Sequence, residues 1–441
     1  MNTIALKRKT GKTKINGSEI VYQSFLFVMA VIVLFLIISV KAKTATDFWS
    51  DPFLLIYTIF VTTFQLSRVV GAMLYTYSSS KIIQNQNDEF YEPTVTFVIP
   101  CKNEEKSIAK TISKSFDADY PENKIEVIVI NDGSTDGTIN VLNQLKNDYK
   151  NLTVVDWKVN RGKRHGMAEG FRLAKGEIIV QLDSDSYIDP STFRNLVRPF
   201  QNPEIGAVCA HADPENADEN LLTKMQAAYY FVSFRILKAA ESTFLTVFCC
   251  SGCSSAYRKS IILPILDVWL NEKFLGLPIT WGDDRALTNR VLKMNYQTIY
   301  TDKVQAYTIC PNNIRTFLKQ QVRWKKGWFV NSLFVSRFIY KRHPFVALTY
   351  FFPLIFVTLA TPFMATKALI YNPIFAHTSP LFYIIGVFLV ACIMVIYYRS
   401  VSRENKYWPY VFVWSAINMV VLSFILFYAL ATIQNRKWGT R

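Results

Sequence analysis

Twenty consecutive residues, "VYQSFLFVMAVIVLFLIISV" (Val21 to Val40), carry no charge, and a second stretch, "PFLLIYTIFVTTFQLSRVVGAMLY" (Pro52 to Tyr75), carries only Arg68. A hydrocarbon layer of about 30 Å takes roughly 20 apolar helical residues, so each stretch can cross a bilayer. The first is too long, and too closely followed by the second, to read as a cleaved leader. Three further apolar stretches follow near the other end: Pro344 to Tyr371, Leu381 to Tyr398 and Pro409 to Thr432. The roughly 270 residues between the two blocks have ordinary polar content and form one soluble domain of generous size.

Lysine and arginine near span ends set the orientation. Lys7, Arg8, Lys9, Lys12 and Lys14 precede the first span, which puts the N-terminus in the cytoplasm, and two crossings return the insert there. The loop with Arg399, Arg403 and Lys406 fits the same side. Five simple crossings would place the tail "QNRKWGTR" outside, against the same rule. Either Pro409 to Thr432 is a re-entrant or interfacial segment, or another stretch is miscounted.

The net charge of +16 does not point to nucleic acid, because many of the cations flank spans or lie in patterns such as "LKQQVRWKKGW". Anionic lipid or a phosphorylated substrate answers them there. The seven cysteines show no zinc-type pairing repeat, and the four histidines are scattered.

Within the insert, "TVTFVIPCKNEE" (Thr94 to Glu105) is a buried strand running into a helical pattern. "KIEVIVINDGSTDGT" repeats the plan, "NLTVVDWKVNRGKRHGMAEGFRLAKG" gives a third strand and helix around a basic glycine-rich loop, and "EIIVQLDSDS" gives a fourth strand. Such alternation predicts a mostly parallel sheet, whose ligands sit beyond the carboxyl ends of its strands. Taken singly, Asp132 reads equally as a helix cap, Lys163 with Arg164 as a solvated loop, and Asp183-Ser184-Asp185 as a turn. Four strand ends in a row carrying such residues instead describe a nucleoside diphosphate site: an acid for a base or ribose, a cation pair for phosphate, and clustered carboxylates for a metal.

In combination, "NDGSTDGT", "NRGKRHG", "DSDSYIDP", "SGCSSAYR", "LGLPITWGDDRALTN", "QQVRW" and the terminal "WGTR" resemble the membrane-integrated family 2 glycosyltransferases with a GT-A fold, the group of hyaluronan, chitin and cellulose synthases. The likeness spans nearly the whole chain. Bacterial hyaluronan synthases are similar at "GKRH", "NLLTK", "FLGLP", "GDDRALTN" and "KWGTR". The resemblance implies an α/β GT-A domain, a Rossmann-like and mostly parallel sheet on the cytoplasmic side, inserted between transmembrane helices.

It also implies roles for single residues. Asp132 would contact uracil, Lys163 and Arg164 the nucleotide and its phosphates, and Asp183 would help hold the nucleotide-sugar. Asp185 would ligate Mg²⁺ or Mn²⁺, and Asp284 would be the general base. Gln320 and Arg323 would bind the diphosphate, Trp324, Asp283 and Arg285 the acceptor sugar, with Trp438 of the tail lining the same site. Two departures fall near the acceptor: Cys253 and Ser254 stand where hyaluronan synthases usually have proline and leucine, and "KKGWF" follows the QxxRW arginine and tryptophan.

The expected organisation is a basic cytoplasmic N-terminus (1–20), two transmembrane helices (21–75), a nucleotide-sugar-binding part (76–215), an acceptor-binding part with amphipathic interfacial helices (216–343), C-terminal membrane segments (344–432) and the tail (433–441). The implied activity is processive, inverting polymerisation of UDP-sugars into a β-linked polysaccharide exported across the plasma membrane, hyaluronan from UDP-GlcNAc and UDP-GlcA being favoured. A chitin-like, glucan or other capsular polymer is the alternative, and an inactive sugar-nucleotide or polysaccharide receptor a second. Expected partners are UDP-sugars, the nascent polysaccharide and the lipid bilayer, with no nucleic acid.

Overall fold

The computed structural model describes residues 17–43, 51–84 and 91–435. The basic residues Lys7 to Lys14 and the tail from 436, with Trp438, lie outside the described residues.

The soluble insert is built on an eight-stranded sheet in the order β3-β2-β1-β4-β7-β6-β10-β5. The strands are β1 (Val95–Cys101), β2 (Ile125–Asp132), β3 (Leu152–Trp157), β4 (Ile178–Gln181), β5 (Ser186–Ile188), β6 (Ile205–Pro214), β7 (Ser255–Arg258) and β10 (Gln297–Thr308). A separate small hairpin joins β8 (Lys273–Phe274) to β9 (Leu277–Pro278). The first four strands run parallel, as their near-continuous apolar runs predict for a sheet covered on both faces. β7 and the edge strand β5 run against the rest. Parallel register matters for function: Cys101 lies opposite Asn131 and Asp132 opposite Trp157, so the polar residues that end each strand emerge along one edge.

The helix Lys163–Leu173 is set hard against this sheet. A Cβ on Gly170 would lie 2.3 Å from Val98 Cγ1, so the glycine permits the close approach that fixes where Lys163, at the helix start, can reach.

Among the described residues, five helices are long and apolar enough to cross a membrane: Ser18–Val40, Pro52–Tyr75, Pro344–Phe375, Leu381–Val401 and Tyr410–Ala431. They share packing with the domain. Ala72 and Tyr75 of the second, and Met394 and Tyr398 of the fourth, belong to the same apolar core as the sheet. Arg403 pairs with Glu19 at 3.5 Å, and Lys367 pairs with Asp51, which aligns the first four helices between two levels.

The fifth helix differs. It begins where Lys406 pairs with Asp218 at 2.7 Å and ends where Lys326 Nζ donates to the carbonyls of Thr432, 2.5 Å, and Asn435, 3.1 Å. Both anchors belong to the soluble insert, so this helix is tied to the insert at both ends.

Candidate active site

Beyond the carboxyl edge of the sheet lies a cavity of about 1240 Å³. Asp132, Lys163, Arg164, Asp183 and Asp185 line it from the strand ends, and Asp283, Asp284, Arg285, Gln320, Arg323 and Trp324 from two helices that pack across them. The residues singled out from sequence thus converge, Trp438 excepted because it falls outside the described residues.

Asp132 caps no helix, since the helix Thr138–Asp148 has no side-chain cap. Its carboxylate accepts the N–H groups of Arg161, 2.6 Å, and Gly162, 2.9 Å, and so fastens the basic loop to the end of β2.

Asp183-Ser184-Asp185 is a turn as well as a cluster of acids, with the Ser186 N–H donating to the Asp183 carbonyl at 3.0 Å. Lys163 Nζ donates to the Asp183 carboxylate. Burial alone would lower the lysine's proton affinity, but the charges of Asp183 and then of Asp284 and Asp283 outweigh it and hold the ammonium above its ordinary range. Burial, and next the Asp183 charge, push the Asp185 carboxyl up to about 7. A buried carboxyl raised by its carboxylate neighbour is the electrostatic condition a divalent cation relieves. Among the described residues no three Asp, Glu, His or Cys side chains converge as a metal cage. The donors present fit an ion held by one or two carboxylates that completes its shell with phosphate oxygens and water.

Asp284 opens the helix Asp283–Lys293. Its Oδ1 accepts the Arg285 N–H at 2.8 Å, and its Oδ2 faces the Gly252 N–H at 3.1 Å and Cys249 Sγ at 3.7 Å. Gly252 is a residue the sequence reading did not assign. Its carbonyl accepts the Asp183 N–H at 2.9 Å while its own N–H donates to Asp284, so one residue links both acid clusters. A Cβ there would sit 3.0 Å from Asp183 Oδ1, and the only sequence signal was its place in "SGCSS".

Arg164 and Asp283 were expected on nucleotide and acceptor, and both line the cavity, yet each is only 4% exposed. Arg164 Nε donates to Asp283 at 2.7 Å, and its Nη1 to Glu272 at 3.1 Å and to the Trp269 carbonyl at 3.0 Å. Arg290 also pairs with Glu272, at 2.6 Å. The network ties the helix that begins at Lys163 to the helix that carries Asp284.

Gln320, Arg323 and Trp324 fall on one face of the helix Ile314–Ser336, as an i, i+3, i+4 set must. The departure "KKGWF" explains how that helix gets close. Gly282, at φ +73°, and Gly327 pack backbone to backbone, a Cβ on Gly282 lying 2.9 Å from Gly327 Cα. Arg323 feels burial first, which lowers its proton affinity, and then the opposing charges of Asp183, Asp283 and Asp284. Arg285 is also desolvated, but Cys249, Glu241 and Asp284 prevail and raise its proton affinity.

Trp324 extends into an aromatic row: Tyr229 lies 6.4 Å from it, and Tyr229 stacks on Trp414 of the fifth apolar helix at 4.0 Å and 22°. Neither partner was singled out from sequence. From there the cavity continues between the apolar helices, past Phe64, Arg68, Leu354, Thr358 and Asn418.

The arrangement has relatives. Residues 96–264 match the profile of glycosyl transferase family 2. A hyaluronan synthase of Streptococcus pyogenes serotype M1 is 31% identical over 392 residues, covering 85% of this chain and 90% of that protein. An N-acetylglucosaminyltransferase of Azorhizobium caulinodans is 27% identical over 356 residues, covering 79% and 87%. A mannosyltransferase from Pyrobaculum calidifontis, solved with GDP-mannose and Mn²⁺, superposes with a TM-score of 0.52 at 17% identity, covering 85% of this chain and 99% of that one, a likeness of GT-A fold. With acids, cations and aromatics gathered at the strand ends of that fold and apolar helices packed on it, the chain belongs to glycosyltransferase family 2 and is a multi-pass membrane glycosyltransferase.

Proposed function

We propose that the protein is a processive, inverting synthase that joins UDP-GlcNAc and UDP-GlcA into hyaluronan and passes the growing chain into the membrane block, with its catalytic domain on the cytoplasmic face of the plasma membrane. The observation that carries this reading is the single cavity that runs from the acid clusters to the apolar helices. A polymer extended at Asp284 then has a continuous path along Trp324, Tyr229 and Trp414 toward Thr358 and Asn418.

In this mechanism Asp284 takes the proton from the attacking sugar hydroxyl, its carboxylate held in place by the amides of Gly252 and Arg285. Arg323 and Lys163 offset the charge that builds on the departing diphosphate, and Gln320 lies on the Arg323 face of the same helix. Asp185, with Asp183 beside it, would hold Mg²⁺ or Mn²⁺, whose Lewis acidity supplies further stabilisation of the leaving group. The Pyrobaculum mannosyltransferase solved with Mn²⁺ supports a divalent ion in this fold. Asp132 orders the loop against which the nucleotide would rest, and Trp324 offers a face for the acceptor ring.

The streptococcal relative favours hyaluronan, and so do the cations Arg68, Lys238 and Arg285 along the inner cavity, since a uronic acid polymer carries a carboxylate in every repeat. The Azorhizobium relative favours a second reading, a polymer of GlcNAc alone. Purified protein given both UDP-sugars is expected to make a high-molecular-weight product digested by hyaluronidase and to make none from either donor alone. A product from UDP-GlcNAc alone that chitinase cuts would replace the first reading with the second.

A further inference from the structure

We propose that Lys163 is a built-in counter-ion that covers the metal side of Asp183 until a nucleoside diphosphate draws it away, so that metal and nucleotide binding are coupled through one side chain. The inference rests on the reading of this cavity as a nucleotide-sugar site. Lys163 is the first residue of its helix, and Gly170 presses that helix onto Val98, so the ammonium changes partner by rotating its side chain and not by moving its backbone. Its Nζ donates to Asp183, and both side chains are part exposed to the cavity, at 24% and 31%.

The charges around this contact fix the argument. Asp183 and Asp185 are neighbouring acids, and Lys163 pairs with Asp183. Asp283 is paired with Arg164, Asp284 is served by the amides of Gly252 and Arg285, and Arg323 feels Asp183, Asp283 and Asp284 from the opposite helix. A divalent ion arriving alone must therefore enter against an ammonium that already occupies one of its carboxylates, and like charges at such range repel strongly. A diphosphate changes the balance twice. It offers Lys163 a more highly charged partner, and it supplies oxygens that complete the metal's shell. The second effect exists in many metal–nucleotide sites; the first depends on this lysine.

Coupling of this kind is reciprocal, so UDP tightens metal binding by the factor by which the metal tightens UDP. The test separates the lysine's share. Mn²⁺ binding to the full chain in nanodiscs is followed by the electron paramagnetic resonance signal of free Mn²⁺, with and without UDP, for wild type, Lys163→Met, Lys163→Gln and Lys163→Arg, with tryptophan fluorescence confirming that each is folded. Both neutral variants are expected to bind Mn²⁺ alone about tenfold more tightly, and the tightening caused by UDP is expected to shrink by a similar factor. Lys163→Arg keeps the charge and is expected to behave as wild type. Unchanged or weaker Mn²⁺ binding by the neutral variants in the absence of UDP would overturn the proposal. Neither measurement involves the polymer, so a different product leaves it intact. A wild-type protein that ignores UDP would overturn the nucleotide reading and the coupling with it.

Discussion

Two pairs of acids face one another across the cavity, Asp183 with Asp185 at the end of β4 and Asp283 with Asp284 at the start of a helix. In the first pair Lys163 holds Asp183, while burial and then the Asp183 charge drive Asp185 toward the neutral form. In the second pair the members are divided between tasks. Asp283 is sealed in an ion-pair network with Arg164, Glu272 and Arg290, whereas Asp284 keeps its carboxylate at the cavity among amide donors. In the proposed mechanism, adjacent carboxylates of the same chemical kind thus serve as a metal site in one place, and as a brace plus a base in the other, because of what stands opposite them.

That contrast can be broken in graded steps. The largest effects are expected from Asp185→Ala and Asp284→Asn, each lowering transfer by about 10²–10⁴-fold or more. They should differ in binding: Asp185→Ala loses Mn²⁺ affinity, while Asp284→Asn keeps Mn²⁺ and UDP affinity, as titration calorimetry would show. Loss of metal binding in Asp284→Asn would erase the division between the pairs.

Asp283→Asn tests the brace. Removing one partner of a buried pair leaves Arg164 with only Glu272, which Arg290 also shares, an expected loss of up to about 3–5 kcal/mol of stability. Thermal unfolding should report it, and Arg164→Met combined with Asp283→Leu should recover much of the loss. A stable Asp283→Asn protein with wild-type unfolding but no transfer would move Asp283 to the acceptor.

The smallest expected effect comes from the helix contact. Gly327→Ala sets a methyl 3.0 Å from Gly282 Cα and must push the helix Ile314–Ser336 outward by a few tenths of an ångström. Since Gln320, Arg323 and Trp324 ride on that helix and Asp183 does not, the apparent KM values for UDP-sugar and acceptor should both rise several-fold at nearly constant Mn²⁺ affinity, by analogy with the sensitivity of oriented groups to small displacements. Unchanged KM values would show that this backbone contact does not position the site.

The strand-end side of the cavity was legible because parallel strands with short loops translate sequence order into position: whatever follows an apolar run appears at the carboxyl edge. "IND", "GKRH" and "LDSDS" could be placed on that rule alone. The helical side was less so. Gly252, Tyr229 and Trp414 acquire their positions from a loop, a helix and a membrane segment that are far apart in the chain, and no periodicity announces such a meeting. Likewise Arg164 follows Lys163 directly, yet the helix turn sends one to Asp183 and the other to Asp283.

By itself the sequence determined the two membrane blocks, the α/β insert and the acids, cations and QxxRW residues from which the site is made, since burial of apolar runs and the alternation of strand and helix are local properties of the chain. Only the tertiary structure decided that the fifth apolar helix begins and ends at the domain, that Asp283 pairs with an arginine while Asp284 stays at the cavity, and that Gly282 meets Gly327. Those outcomes depend on which charge or surface is left opposite each residue once distant segments pack, and Coulomb and contact energies at a few ångströms are set by that packing and not by separation along the chain.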